Sequence, residues 1–496
     1  MSKLFGIFKE PVLYLILIII LAFWVRLYRI ENPVADWHSW RQADTAAVAR
    51  NFYKEGFTPF VPRYDDMSMV SETLKSNPGR YRFVEFPIYN TLVYLTYLIN
   101  GGVNEALARL VAVMFSLGSL IFIYLIVKRH FDTLTALAAS FLYAILPFNI
   151  YFSRVILPEP ALVFFSLGMF YFTEKWIWEN TRSLLVLSLF FIACAFLIKP
   201  MAIFYLLPLG LSIYQKEETI NLFKYSKRYF ILLLAFIPLV LWRIWMLNHP
   251  EGIPMSDWLY NSNNIRFRPA FFRWIVGERF GKEILGVAGT SLFVLGLMFR
   301  PLLKQTYLLH LLAFSSFLFL IVFATGNVQH DYYQYLIIPA LVIFTARGLV
   351  FLLRGLPPLL PRIITIPVAI FLLILTIYLP WLEVRGLYQI NNPAIVEAGK
   401  KADELLPQDA IVVAPYNGDT SFLYQTNRPG WAITALPIKE LQAEFGITHY
   451  VSTTKDSKTR WLMYKYVVMY DDPLFVIIDL TKFSPNFNPL DDIEPS

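Results

Sequence analysis

Apolar residues run in long unbroken stretches as far as about residue 381, and shorter alternating patterns replace them afterwards. The first stretch, PVLYLILIIILAFWV (11–25), is followed by Arg26 and Arg29 and by no small-residue cleavage site, so it reads as a retained anchor. Membrane helices need about 20 mostly apolar residues. On that basis about eleven spans are predicted, roughly at 10–28, 105–127, 133–151, 158–178, 183–198, 201–215, 229–247, 284–300, 306–325, 332–352 and 362–381. The run FPIYNTLVYLTYLI (86–99) is too short to span comfortably and reads as an interfacial helix.

The tail follows other periods. NPAIVEAGKKADELL opens on Asn392 and Pro393, a cap followed by proline at the first helical position, and Ile395, Ala398, Ala402 and Leu405 recur at helical spacing. DAIVVAP and THYVST read as buried strands, IKELQAEFGI as a helix ending at glycine, and KYVVMYDDPLFVIIDL as a hairpin around Asp471-Asp472-Pro473. The predicted architecture is a polytopic α-helical membrane domain, 1–384, with a first outer loop at 29–104, and a small extracytoplasmic α/β domain at 385–496.

Loop charge orients this scheme. With Lys3 and Lys9 inside, every inner loop is basic: Lys128-Arg129, Lys175 and Arg182, Lys216 with Lys224, Lys227 and Arg228, Arg300 and Lys304, and Arg347, Arg354 and Arg362. Counting 86–99 as a span would put KRH (128–130) and KYSKR (224–228) outside. The expectation is therefore a multi-pass inner (plasma) membrane protein with a cytoplasmic N-terminus and an extracytoplasmic C-terminal domain.

Composition agrees and narrows the chemistry. The 496 residues are 57% hydrophobic and 16% charged, against about 25% charged in soluble domains. The net charge of +7 calls for no nucleic-acid partner, since basic inner loops account for it. One cysteine, Cys194, lies in an apolar run, which excludes an internal disulfide and a cysteine metal cluster. The tail has no glycine-rich phosphate loop, and the chain lacks the internal repeats typical of transporters.

Ionisable residues collect on the predicted outer side. The stretch ADWHSWRQADTAAVARNF (35–52) carries Asp36, His38, Arg41 and Asp44. Glu85 precedes the interfacial helix, Arg154 and Glu159 sit in SRVILPEPALVFF, Lys199 lies in FLIKPMAIF, and His330, Asp331, Tyr332 and Tyr333 in NVQHDYYQYLIIP. Singly, each has a plain reading. Asp44 could cap a helix over 45–54, Arg154 could snorkel, Glu159 could complement a helix dipole, and the tyrosines could join an aromatic belt. Their common side points instead to a site, because ionisable groups at membrane depth are costly. Carboxylates suit a general base toward a hydroxyl, and Lys, Arg, His and Tyr suit a departing phosphate. Beside apolar helices this set describes sugar transfer from a polyprenyl-phosphate carrier. One carboxylate suffices for a single inverting displacement, because a phosphate leaving group needs no proton.

With these residues in order, the chain resembles the GT-C integral-membrane glycosyltransferases of the protein O-mannosyltransferase and lipid A aminoarabinose transferase branch, over roughly 10–380. AAVARNFYKEGFTPFVP resembles the passage after the family's catalytic acid, and Glu85-Phe86-Pro87 its Glu-x-Pro. ARLVAVMFSLGSLIFIYLIVKRHF resembles its second span, and RVILPEP an Arg…Asp-Pro element with Glu159 at the acid. Lys199 matches a lysine after the fifth span, and HDYYQYLIIP the late tyrosine element near the lipid phosphate. Where the family places an Asp-Glu pair this chain has Arg41-Gln42. Asp44, about one helical turn on, can present to the same space. The resemblance implies Asp44 as base, with Asp36 second. Glu85 and Glu159, with Arg41 and His38, would orient acceptor or sugar, and Arg154, Lys199, His330 and Tyr333 would hold the phosphate. A divalent ion shared by Asp44, Glu85 and His330 is a further option, although no spacing specifies one. The implied partners are a polyprenyl-phosphate sugar, an extracytoplasmic acceptor and the bilayer. The competing readings are a transporter of a lipid-linked or amphipathic substrate, a receptor or scaffold whose outer domain binds a partner, and a ligase using a lipid-diphosphate oligosaccharide.

Overall fold

The computed structural model describes residues 10–218, 226–299, 307–355, 360–434, 436–489 and 494–495. Lys3, Lys9, Lys224, Arg300 and Lys304 of the charge argument lie outside the described residues, as does the side chain of Lys227. The chain divides into two compact units.

The first unit comprises Met1–Ile30, Arg109–Arg243 and Ser256–Leu387 and is helical. Helices occupy each predicted apolar run, but proline cuts several of them short. The 133–151 run becomes Thr133–Ile145 and Pro147–Phe152, with extended backbone at Leu146, because Pro147 has no N–H to continue the ladder. Among the described residues three stretches are long and apolar enough to cross a membrane: Glu105–His130, Asp331–Arg354 and Arg362–Leu405. A fourth qualifies if Pro269–Ile284 and Gly286–Met298, bent by 108°, count as one. Pro11–Arg26, Thr133–Ile145, Arg182–Ile198, Phe230–Met246 and Tyr307–Val322 are apolar but shorter. Helices Gly286–Met298 and Ile338–Arg354 approach closely where glycines face backbone. A Cβ at Gly296 would stand 1.9 Å from the Phe344 carbonyl oxygen, and one at Gly348 2.0 Å from that of Leu292. The region 248–283, between two predicted spans, carries short helical turns, including Arg273–Ile284.

The second unit comprises Glu31–Ala108, Ile244–Met255 and Tyr388–Ser496. Its centre is a sheet of β1 (Val412–Val413), β2 (Gly430–Trp431), β3 (His449–Ser452), β4 (Tyr466–Asp471) and β5 (Val476–Phe483), ordered β2-β1-β3-β5-β4. The β1 strand pairs parallel with β2 and β3, while β5 pairs antiparallel with β3 and β4. Strand alternation builds two cores. Val412, Val451 and Ile477 pack with Ile395, Ala398 and Phe422 on one face. Val413, Tyr450 and Ile478 pack with Ile438, Leu441 and Leu462 on the other. The predicted helices appear as Pro393–Leu405, capped by Asn392, and Ile438–Phe445, ended by Gly446.

The units change at Leu387–Tyr388, close to the boundary expected at 384, while most of the first loop, placed with the membrane domain from sequence, falls in this unit. Ala35 enters one core and Met67 the other. The backbone at 65–67 extends the sheet past β2: Gly430 N–H donates to the Asp65 carbonyl at 2.9 Å, and Met67 N–H to the Gly430 carbonyl at 2.7 Å. Helix Ser39–Glu55 is buried along nearly its whole length although it is polar, so its polar groups need partners. Arg50 supplies one link, donating to the Tyr424 carbonyl at 2.9 Å with its guanidinium 4.2 Å from that ring. Helix Ile88–Asn100 buries Tyr89, Asn90, Val93 and Tyr97 and exposes the apolar Leu92, Leu95, Leu98 and Ile99.

Candidate active site

In the second unit, the helix bearing Asp44 begins earlier than the sequence suggests. His38 stands before it at φ 55°, in the left-handed region, and its carbonyl accepts the N–H groups of Arg41 at 3.1 Å and Gln42 at 3.2 Å. Asp44 therefore lies inside the helix and does not cap it. Asp44 is 3% exposed. Its Oδ2 meets Arg82 Nη2 at 2.5 Å, and its Oδ1 accepts the Thr420 hydroxyl at 2.7 Å. The Arg82 guanidinium in turn stands 5.1 Å from the Tyr64 ring. A carboxylate has about four lone-pair positions, so two partners do not exhaust it.

Arg41 and Gln42 occupy the positions where the resembled family carries acids, and both act as donors. Arg41 Nη2 reaches both oxygens of Glu85, at 2.8 and 2.7 Å, with the pair nearly buried. Gln42 Nε2 donates to Asp36 Oδ1 at 2.6 Å and to the Trp37 carbonyl at 3.0 Å. Asp36 is fully buried and Glu85 is neutralised by Arg41. The His38 ring lies 5.1 Å from that of Trp37.

Two further acids escaped the sequence reading. Burial pushes the Asp66 carboxyl up to about 6; hydrogen bonds from Ser68 pull the other way, and Asp44 adds to the rise. Asp66 accepts the Ser68 hydroxyl at 2.5 Å and the Ser68 N–H at 3.1 Å. Burial also raises Asp419, with a contribution from Asp44. The only sequence signal was a pair of adjacent acids in RYDDMS, within a segment of no clear period.

In the first unit, Glu159 opens helix Glu159–Glu179 between two prolines, and Lys199 ends helix Arg182–Ile198. The Lys199 ammonium pairs with Glu159 Oε1. It also lies 5.8 Å from the Tyr332 ring and 5.2 Å from the Tyr333 ring. Glu159 Oε2 is buried and accepts no hydrogen bond among the described residues. His330 stacks on Tyr332 at 5.4 Å, lies 6.2 Å from Tyr333, and meets Trp258 edge-on at 5.5 Å. Arg154 is fully buried, and its Nη1 donates to the carbonyls of Tyr28, at 3.2 Å, and Arg29. Arg279, which sequence did not single out, bonds Glu283 at 2.6 Å and lies 3.7 Å from Asp331.

Among the described residues no three His, Cys, Asp or Glu side chains are grouped as a metal ion would require. Both Glu85 oxygens are held by Arg41, so Glu85 does not fit the divalent ion considered for Asp44, Glu85 and His330.

Residues 86–245 match the family model described as dolichyl-phosphate-mannose-protein mannosyltransferase. The structure is similar to that of ArnT from Cupriavidus metallidurans bound to undecaprenyl phosphate, at TM-score 0.63 and 13% identity, covering 94% of this chain and 97% of that one. The chain has the GT-C glycosyltransferase fold. The GT-C likeness extends to the oligosaccharyltransferase of Archaeoglobus fulgidus, at TM-score 0.55 and 11% identity over 90% of this chain and 70% of that one. It extends also to the mycobacterial arabinofuranosyltransferase AftD, at TM-score 0.51 and 12% identity over 89% of this chain and 35% of that one. No curated protein matches at the sequence level.

Proposed function

We propose that this chain is an inverting glycosyltransferase that moves a sugar from a polyprenyl-phosphate carrier to a hydroxyl of an extracytoplasmic acceptor. The observation that carries the reading is the correspondence, over nearly the full length of both chains, with an ArnT structure bound to undecaprenyl phosphate. The accompanying topology has about eleven spans, a cytoplasmic N-terminus and an extracytoplasmic second unit, in the inner membrane.

The chemistry needs few groups. The acceptor hydroxyl gives its proton to Asp44 as its oxygen bonds the anomeric carbon. The carbon–oxygen bond to phosphate breaks, its electron pair stays with the phosphate, and polyprenyl phosphate departs. Arg82 and Thr420 fix the Asp44 carboxylate in one orientation. Lys199, whose charge is shared between one carboxylate and two aromatic faces, keeps attraction for a phosphate, with Tyr333 and His330 beside it. The open oxygen of Glu159 suits a sugar hydroxyl. Asp36, His38, Arg41 and Glu85 shape the loop around Asp44, and Arg154 secures the end of the first helix.

The test is to incubate membranes with labelled polyprenyl-phosphate sugars and seek an Asp44-dependent product. Transfer that persists undiminished in both Asp44→Asn and Asp36→Asn sinks the assignment. Uptake of sugar or drug into vesicles with no glycosyl product favours a transporter instead.

A further inference from the structure

The second unit holds a polar cavity away from Asp44. Its volume is about 340 Å³, and Asn51, Lys54, Asp65, Arg80, Gln408 and Asn427 line it. That is the size of a small-molecule site, yet the lining has almost no apolar side chain apart from Pro429. We propose that this cavity binds a sugar residue of an elongated acceptor glycan, at the far end of the helix that carries Asp44. The inference rests on the transferase reading.

Three observations support it. The first is placement. Within helix Ser39–Glu55, Asn51 follows Asp44 by seven residues and Glu55 by eleven, so the three share one stripe of the helix. At 1.5 Å per residue the cavity lies roughly 10–15 Å along the axis from Asp44. A ligand reaching from one to the other must be extended, as a glycan chain is.

The second is charge. Each cation around the cavity already faces an acceptor. Arg80 pairs with Glu55 at 2.6 Å, Arg428 with Asp403 at 2.6 Å, and Arg50 with Asp65, while Lys54 donates to Asn427 Oδ1 at 2.5 Å. The three arginines face acids and Lys54 faces a neutral amide, so the cavity offers interleaved donors and acceptors, which suit vicinal hydroxyls.

The third is rigidity. One wall is the helix itself, and the other includes Asn427, the end of the segment Thr420 to Asn427 that runs beside the helix. Thr420 bonds Asp44, Tyr424 holds Arg50 and Asn427 holds Lys54, in step along the helix. Asn51 is fixed by Asp65 at 3.1 Å and by the Arg63 carbonyl at 3.2 Å. A site held on both sides loses little freedom when it binds.

The test uses the full chain in lipid nanodiscs. Binding of chitotetraose, maltotetraose and mannotetraose is measured by saturation-transfer NMR, with inorganic phosphate as a competing probe. The expected result is binding of at least one tetrasaccharide, weakened about tenfold or more in Asn51→Ala and in Gln408→Trp. Gln408 is exposed, so the tryptophan fills the cavity without disturbing a core. No tetrasaccharide binding, tetrasaccharide binding indifferent to both variants, or phosphate alone occupying the cavity overturns the proposal. Acceptor-independent hydrolysis of a polyprenyl-phosphate sugar, followed in the same preparation, separates the two readings. Hydrolysis without tetrasaccharide binding counts against the cavity alone, and binding without hydrolysis counts against the transferase reading alone.

Discussion

The ion pairs at the candidate residues of the two units differ in kind. In the second unit, guanidinium groups hold carboxylates: Arg82 on Asp44 and Arg41 on both oxygens of Glu85. In the first, a lysine shares its charge between Glu159 and the faces of Tyr332 and Tyr333. A guanidinium fork fixes a carboxylate in position, whereas a lysine over aromatic rings keeps attraction for a passing anion. Under the proposed function the contrast separates orientation from charge binding: Arg82 would orient Asp44 as base, and Lys199 would attract the phosphate.

The strongest way to break this contrast is to remove the base. Asp44→Asn keeps the Thr420 bond and should lower the transfer rate about 10²–10⁴-fold while donor binding persists, read by product formation against equilibrium binding of labelled donor. Next is the Arg41–Glu85 pair. Arg41→Ala removes the cation that holds both oxygens of the buried Glu85 and should cost about 3–5 kcal/mol, seen as a fall in melting temperature. The double replacement Arg41→Met with Glu85→Met should recover most of that loss. If transfer also returns, the pair is structural; if stability returns and transfer does not, one partner touches substrate.

Asp66 gives a pH signature. Its folded carboxyl, at about 6 against an ordinary 3.8, binds its proton more tightly than in the unfolded chain. Its contribution is therefore complete below about pH 4 and is lost as pH rises through about 6. Asp66→Asn should remove that loss, flattening the difference between melting curves at pH 4 and 7 by about 3 kcal/mol at most. The smallest expected effect is at Tyr333. Tyr333→Phe keeps the ring beside Lys199 and removes one hydroxyl, so donor affinity should fall about fivefold, on the order of 1 kcal/mol. An unchanged affinity would leave the ring face as the only contribution of Tyr333.

Periodic features were legible in the sequence. The apolar runs reappear as helices because hydrophobic length is a local property, and the tail strands Val412–Val413 and His449–Ser452 fall where β-branched residues cluster. The start of helix Ser39–Glu55 was missed because its cap is His38 in a left-handed conformation, which no common capping pattern announces. Partners were missed for a more general reason. Arg82 on Asp44, Arg41 on Glu85 and Thr420 on Asp44 join residues that no local pattern brings together. The reversal at Arg41-Gln42 looked like a defect in the family pattern, yet the structure shows each of the two engaged by an acid from elsewhere in the same unit.

The bond from Thr420 to Asp44 closes 376 residues of chain. The ribosome therefore delivers a polar loop helix long before its partner exists, and the strand-like edge at 65–67 must wait for β2 in the same way. Contacts so distant in sequence form slowly, and an unpaired edge left waiting is open to wrong pairing. Assembly of the active loop is thus an event of late biogenesis. A chain truncated before residue 388 should carry its membrane helices and still lack a settled position for its base.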